Sequence, residues 1–388
     1  MNGRENVRDN AQERARKERA RKESARKESA REERAREESA REESARERAA
    51  GGTHRAVVVG TGDMARLHLN GYARAAGVTV AGIVGRTEHK ARRLAQEYDV
   101  PAVYATVAAA LEAEAVEGRR VDIASVCLPT YLHAPTAVEL LEAGVHVLTE
   151  KPVALTLEDA ERMSAAAEKT GRQLSVVFNR RFASGYAEVA AHLSALGEPP
   201  VYRADDLRKI RPKRAMHDTT QNGGPFIDCA CHDFDLLLHH FGAAESVYAT
   251  GHVFATADEV GIPRDRIAVD TGSVSLRFRS GATAEVFYSW GLPPHNAYWI
   301  RRVFMGPGGV IAAHGDFGDT VEYYRRDGIK EVMGPFPADG HDRQIAAFVE
   351  AVRSGAPAPV PPEDGIRALR LSLLALESMR TGRVMEVT

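Results

Sequence analysis

The chain has 388 residues, 44% of them apolar, with 52 basic against 54 acidic side chains and a formal net charge of −2. That length suits two domains rather than one core. The near-neutral balance gives no sign of a nucleic-acid partner, and no apolar run approaches the ~18 residues of a membrane span.

Three cysteines, Cys127, Cys229 and Cys231, are an odd number in a long chain and fit free thiols in a reducing compartment. The N-terminus carries no apolar leader core, so a cytoplasmic protein is expected. Cys229, Cys231 and His232 lack a second pair of ligands at metal-site spacing, so no metal is expected.

Residues 1–52 differ from the rest. From Ala15 a charged pentad repeats, with alanine at 15, 20, 25, 30, 35, 40 and 45. A step of five turns ~140° on a helix, so the alanines spiral and build no apolar stripe. Pairs such as Glu18 with Lys22 and Glu37 with Arg41 support a solvated helix, a low-complexity extension that Gly51-Gly52 ends.

Residues 53–178 alternate strand and helix patterns at the pitch of βαβ units, which predicts a doubly wound parallel sheet binding a dinucleotide. Val57-Val58-Val59 is a buried strand running into Gly60-Thr61-Gly62-Asp63-Met64-Ala65 and a helix. The first glycine permits the tight turn, the second lets backbone approach a pyrophosphate, and Ala65 lets helix pack on strand. The helix N-terminus offers free N–H groups to phosphate.

The second strand, Val78 to Val84, ends in Gly85-Arg86-Thr87, where an acidic residue would select NAD. The guanidinium fork of Arg86 favours the 2′-phosphate of NADP, with NAD left open. Val121 to Leu128 ends in Pro129-Thr130-Tyr131-Leu132-His133, a loop expected under the nicotinamide. His133 opens the next helix and is read as a cofactor-side residue.

The run Gly144 to Thr149 then closes on Glu150-Lys151-Pro152. Proline cannot continue a ladder, so Lys151 stands at the carboxyl end of a buried strand and faces the crevice where open parallel sheets bind ligands. A helix from Leu157 to Thr170 with Thr156 as cap follows, and a last strand, Leu174 to Phe178, hands over at Asn179-Arg180-Arg181.

Residues 179–388 change pattern. Strand-like runs near 200–206, 246–255, 269–278, 282–290, 297–304 and 319–325, with turns such as Arg279-Ser280-Gly281, predict an α+β domain with a mostly antiparallel sheet. One face of it is expected to build a homodimer or homotetramer. Within this domain Gly223-Gly224-Pro225 starts a helix that places Asp228, His232 and Asp235 at i, i+4 and i+7. A carboxylate one turn before a histidine can orient its ring and hold its charge, as a general acid/base requires.

Together, Gly60-Thr61-Gly62, Pro129-Thr130 with His133, Glu150-Lys151-Pro152, Asn179-Arg180, and Asp228 with His232 and Asp235 resemble the Gfo/Idh/MocA family of NAD(P)-dependent oxidoreductases. The resemblance runs from about residue 55 to the C-terminus, including the closing helices from His341 and from Pro362. It implies hydride transfer between nicotinamide and a secondary alcohol or ketone carbon of a sugar, cyclitol or related polyol.

In such enzymes Lys151 would polarise the substrate oxygen, His232 would exchange its proton, and Asp228 would orient or relay. The cofactor-binding set is then Gly60 to Ala65, Arg86, Leu128, Pro129, Thr130, His133, Glu150, Lys151 and Asn179. Lys151, Arg180, Asp228, His232 and Tyr288 would meet substrate, with Arg208, His217, His295 and Tyr298 as further polar candidates. Alternatives are a lyase or glycosidase using transient oxidation, an imine or aldehyde reductase, and a cofactor-binding sensor without chemistry.

Overall fold

The computed structural model describes residues 53–293, 295 and 299–388. The charged repeat and Tyr298 lie outside the described residues. His54–Thr388 form one compact unit.

Its first half is a six-stranded parallel sheet in the order β3-β2-β1-β4-β5-β6. The strands are β1 (His54–Val59), β2 (Val78–Val84), β3 (Val103–Tyr104), β4 (Ile123–Val126), β5 (His146–Thr149) and β6 (Leu174–Val176). Their side chains are buried almost throughout in β1, β4 and β6, as expected where helices cover both faces of a parallel sheet. Helices α1 (Asp63–Arg74), α2 (Glu88–Glu97), α3 (Val107–Val116), α4 (His133–Glu142) and α5 (Leu157–Thr170) form the crossovers. The strand order reverses between β1 and β4, so the crevice opens beyond Val59 and Val126.

The second half carries a nine-stranded sheet in the order β14-β13-β12-β11-β7-β10-β9-β8-β15. Its strands are β7 (Val201–Lys209), β8 (Ala244–His252), β9 (Thr271–Phe278), β10 (Thr283–Leu292), β11 (Trp299–Gly306), β12 (Gly309–His314), β13 (Thr320–Arg325), β14 (Lys330–Met333) and β15 (Met385–Glu386). The sheet is antiparallel except where β7 runs parallel to β10. Strand β12 was hidden in sequence because Gly309 and the two alanines at 312 and 313 blur the alternation a strand needs.

Helices α6 (Ser184–Leu193), α7 (Pro225–Asp228), α8 (Ala230–Phe241), α9 (Ala257–Val260), α10 (Gly340–Ser354) and α11 (Pro362–Thr381) complete this half. The expected single helix after Pro225 is two. Cys229, at φ −110° and ψ −46°, ends α7 and starts α8, which turns Asp228 out of line with His232 and Asp235.

Late in the chain α10 returns to the first half. Ile345, Phe348 and Val349 join the core under α1, and the Gln344 side-chain amide donates to the Val176 carbonyl at 2.8 Å. This return brings His341 to the inner end of the crevice.

Candidate functional site

A cleft of about 820 Å³ runs along the carboxyl edge of the parallel sheet. At one end lies the glycine turn. Gly60 sits at φ +128°, and a Cβ there would come within 2.2 Å of the Cys127 carbonyl oxygen, so only glycine lets β1 pass so close to β4. A Cβ on Gly62 would meet nothing within 4 Å, so the backbone there faces open space. No side chain caps α1, which leaves its first N–H groups for a phosphate. Asp63 and Met64 line the cleft, whereas Ala65 is buried between helix and strand. These features fit a dinucleotide.

Further along the same wall come Gly85, Arg86 and Thr87. A Cβ on Gly85 would lie 2.6 Å from the Thr61 methyl. A side chain at 85 would have to displace that methyl, and Gly85 puts no acid at the strand end, where the exposed Arg86 and Thr87 are the polar groups. Leu128, Pro129, Thr130, Glu150, Lys151 and Asn179 line the middle of the cleft. His133 does not. It is buried, its ring nitrogens 2.8 and 2.9 Å from the carbonyls of Leu128 and Pro152, and it ties the two loops together from behind. The reading of His133 as a cofactor contact is thereby corrected.

At the other end the cleft is walled by Lys151, Asp228, Cys229, His232, Arg180, Arg208, Trp290 and Asp316. Lys151 Nζ donates to the Asp228 carbonyl at 2.8 Å and to its carboxylate at 2.9 Å. Burial opposes the charge on this lysine, but the Asp228 carboxylate beside it carries the pKa well above the ordinary lysine value. The group is a fixed ammonium.

His232 has the opposite state. Burial first, then the nearby Arg180 and Lys151, push its pKa far below the usual histidine value. Its Nδ1 is buried without a hydrogen-bond partner, and Phe178 packs edge-on against its ring. Neither expected carboxylate orients it. Asp228 is committed to Lys151, and Asp235 is paired with Arg181 outside the cleft, at 2.8 Å from its Nε. The break at Cys229 separates Asp228 from the helix that carries His232, whereas Asp235, on that same helix, is taken by Arg181.

Beneath this end lies a buried lattice that spacing did not reveal. Asp233 accepts from Arg302 Nε at 2.7 Å, from Arg180 Nη1 at 3.1 Å, and from the hydroxyls of Tyr202 and Tyr288. Arg302 and Arg208 also donate to Asp206, at 3.1 and 2.8 Å, and Arg208 pairs with Asp316. Three arginines, Arg180, Arg208 and Arg302, thus face three aspartates, Asp206, Asp233 and Asp316, and the lattice carries no net charge.

Tyr288, expected to meet substrate, is fully buried with its hydroxyl spent on Asp233 and does not line the cleft. Its place on β10 points it inward because the strand alternates buried and exposed positions. His217 is likewise absent from the lining, its Nε2 3.1 Å from the Arg211 carbonyl oxygen, and His295 lies in an exposed turn.

His341, Phe317 and Met216 line the cleft although sequence reading missed them. His68 was missed as well. It falls on the buried face of α1 with Ala65, Leu69 and Tyr72, and a histidine in such a stripe is the one signal that could have singled it out. Among the described residues no cluster of histidine, cysteine or acidic side chains could hold a metal ion, and no helix is long and apolar enough to cross a membrane.

Comparisons with known proteins agree with this geometry. Residues 54–178 match the family model described as "Oxidoreductase family, NAD-binding Rossmann fold", and residues 194–387 match "Oxidoreductase family, C-terminal alpha/beta domain". The myo-inositol 2-dehydrogenase of Thermotoga maritima is 28% identical over 85% of this chain and 97% of its own length. D-xylose 1-dehydrogenase (NADP(+)) 2 of Haloferax volcanii is 29% identical over 79% of this chain and 91% of its own. The crystal structure of a probable dehydrogenase from Thermotoga maritima superposes with a TM-score of 0.69 at 27% identity, covering 86% of this chain and 98% of that one. These relatives are dehydrogenases, which lends no support to a lyase, a glycosidase or a mere sensor. With both halves matched along a cleft that joins the glycine turn to Lys151 and His232, the chain belongs to the Gfo/Idh/MocA family of oxidoreductases.

Proposed function

We propose that the protein is an NAD(P)-dependent dehydrogenase of a sugar, cyclitol or related polyol, moving a hydride between nicotinamide and a secondary carbinol carbon. The observation that carries this reading is that Lys151, Asp228 and His232 wall the same cleft as the Gly60–Gly62 turn. A nicotinamide cofactor held along that cleft by the Gly60–Gly62 turn and the start of α1 would supply the hydride chemistry. Lys151 keeps its ammonium at neutral pH and stabilises the developing alkoxide, the kind of fixed charge that often dominates catalysis. Asp228 holds that ammonium in place. His232, neutral at the same pH, takes the hydroxyl proton on Nε2, the ring nitrogen not buried in the core, and returns it in the reverse direction.

Residues 53–178 serve as the cofactor unit and 179–388 as the substrate and oligomerisation unit. NADP is the preferred cofactor, because Gly85 puts no acid at the end of β2 and Arg86 offers a guanidinium fork. The open face of the large sheet, with Tyr248, Phe287 and Trp299 exposed on it, is the surface for a homodimer or homotetramer. The reading is tested by following absorbance at 340 nm with a polyol panel and both cofactors. Net reduction of cofactor by a cyclitol or sugar is expected, and its loss by orders of magnitude in Lys151→Ala and in His232→Ala. Near-normal turnover in either variant would remove the roles given to these side chains.

A further inference from the structure

From the Lys151 backbone an unbroken line of buried polar groups runs back into the nucleotide-binding half. Tyr72 Oη lies 2.8 Å from Ser125 Oγ, which lies 2.7 Å from His68 Nδ1. His68 Nε2 is 3.0 Å from Glu150 Oε1, and Glu150 Oε2 accepts the backbone N–H of Lys151 at 3.3 Å. One tautomer satisfies the whole line: Tyr72 donates to Ser125, Ser125 to Nδ1 of His68, and Nε2–H of His68 to Glu150. His68 and Ser125 are fully buried and Glu150 is 3% exposed. An ionised carboxylate at such a place is costly unless it is held.

We propose that His68 is a positioning residue of the hydride-transfer site, acting through Glu150 to hold the Lys151 backbone and to keep a negative charge beside its ammonium. This rests on the reading of Lys151 as the group that meets the substrate oxygen. The groups facing Glu150 are His68 from α1, Cys127 after β4, His133 from α4, Lys151 beside it and His341 from α10. Burial alone would raise the Glu150 carboxyl; the hydrogen bond from His68, with His341 and Lys151 nearby, brings it down to about 2. Among these groups only His68 makes a direct side-chain hydrogen bond to Glu150. Without it the carboxyl takes up a proton at a much higher pH, and the protonated group neither accepts well from Lys151 nor offsets its charge.

The test compares His68→Leu, His68→Gln and Lys151→Ala with the wild type, measuring kcat from pH 5.5 to 9 and the NADPH dissociation constant by fluorescence. In wild type kcat is expected to change less than about twofold between pH 6.5 and 8.5. In His68→Leu a new acid limb appears, lowering kcat at pH 6.5 by about tenfold relative to pH 8.5, the effect of a carboxyl pKa that rises by several units to lie between those two pH values, as it does for buried carboxyls left without a partner. The NADPH dissociation constant stays within about threefold, and His68→Gln, which retains an N–H donor, restores the flat profile. A His68→Leu enzyme that binds NADPH and keeps the wild-type profile overturns the proposal, as does a glutamine variant no better than leucine. Should His68→Leu fail to fold, Glu150→Gln takes its place; a uniformly low, pH-independent kcat supports the proposal and a normal kcat overturns it. Lys151→Ala separates the two levels: turnover that survives it defeats the site reading itself, whereas its loss beside an unchanged His68→Leu profile defeats only the role of His68.

Discussion

Lys151 and His232 wall the same end of the cleft in opposite charge states, and burial acts on both. What differs is the partner: a carboxylate at 2.9 Å from the lysine, and for the histidine the charges of Arg180 and Lys151. The resulting pair of a fixed ammonium and a neutral imidazole is what removal of a hydroxyl proton and stabilisation of an alkoxide require. At the adenosine end, Arg86→Ala is expected to weaken NADPH binding about tenfold or more and leave NADH within about twofold, as measured by fluorescence titration, since a guanidinium–phosphate contact is worth about 1.5–3 kcal/mol. Equal losses for both cofactors would contradict the assignment. Lys151 was legible in the sequence because a proline ends its strand and strand ends of parallel sheets face ligands. The partner of Asp228 was not, because nothing in Asp228-Cys229-Ala230-Cys231 announces a helix break.

Elements meet at two positions where a single residue decides the geometry. Gly60 lets β1 and the loop after β4 come together at the switch point, and Gly60→Ala forces a Cβ against the Cys127 carbonyl at a backbone conformation that suits only glycine. That variant is expected to lose cofactor binding by at least about tenfold and to melt at lower temperature; calorimetry with and without NADPH reads both. Asp233 joins α8 to β7, β10 and β11 through Tyr202, Tyr288 and Arg302, and to Arg180. Desolvation works against its charge, yet Arg302 and Arg180 hold the carboxyl far below the usual range. Asp233→Ala removes the carboxylate shared by two buried guanidinium groups, leaving Arg302 with Asp206 at 3.1 Å and Arg180 with Asp316 at 3.8 Å, and should destabilise the fold by about 3–5 kcal/mol in urea unfolding. A loss below about 1 kcal/mol would show that the lattice is dispensable. The parallel sheet and its glycine turn were readable from buried strand runs at regular pitch. The lattice was not, since it joins Asp206, Asp233, Arg302 and Asp316 from distant parts of the chain and no local period marks them.

For the molecule as a whole, several histidines share one direction of response. Burial lowers His146, His240 and His341 to about 4 and holds His232 well below the ordinary histidine value. Groups depressed in the folded state bind protons less readily than the ordinary 6.5 of the unfolded chain. The unfolded state therefore gains protons first as pH falls, and stability is lost between about pH 6.5 and 4. Thermal melts are expected to drop by about 5 °C or more from pH 7 to pH 5, and an unchanged Tm would contradict the burial of these rings. Assembly belongs to this scale too: light scattering should give two or four times the 42.2 kDa chain mass, and a monomer would remove the sheet face as an interface. The fold class was legible because two kinds of hydrophobic period, one for βαβ units and one for alternating strands, follow each other along the chain. The return of α10 onto the nucleotide half, which delivers His341, was legible only as a helix and not as a destination.

The central claim is that an ammonium from one half and an imidazole from the other address one substrate oxygen beside the nicotinamide. A crystal structure of the protein with NADPH or NADP and a turned-over polyol measures this directly. The expected result is a carbinol oxygen within about 3.2 Å of both Lys151 Nζ and His232 Nε2, with its carbon facing the nicotinamide; a substrate oxygen that contacts neither side chain would contradict it.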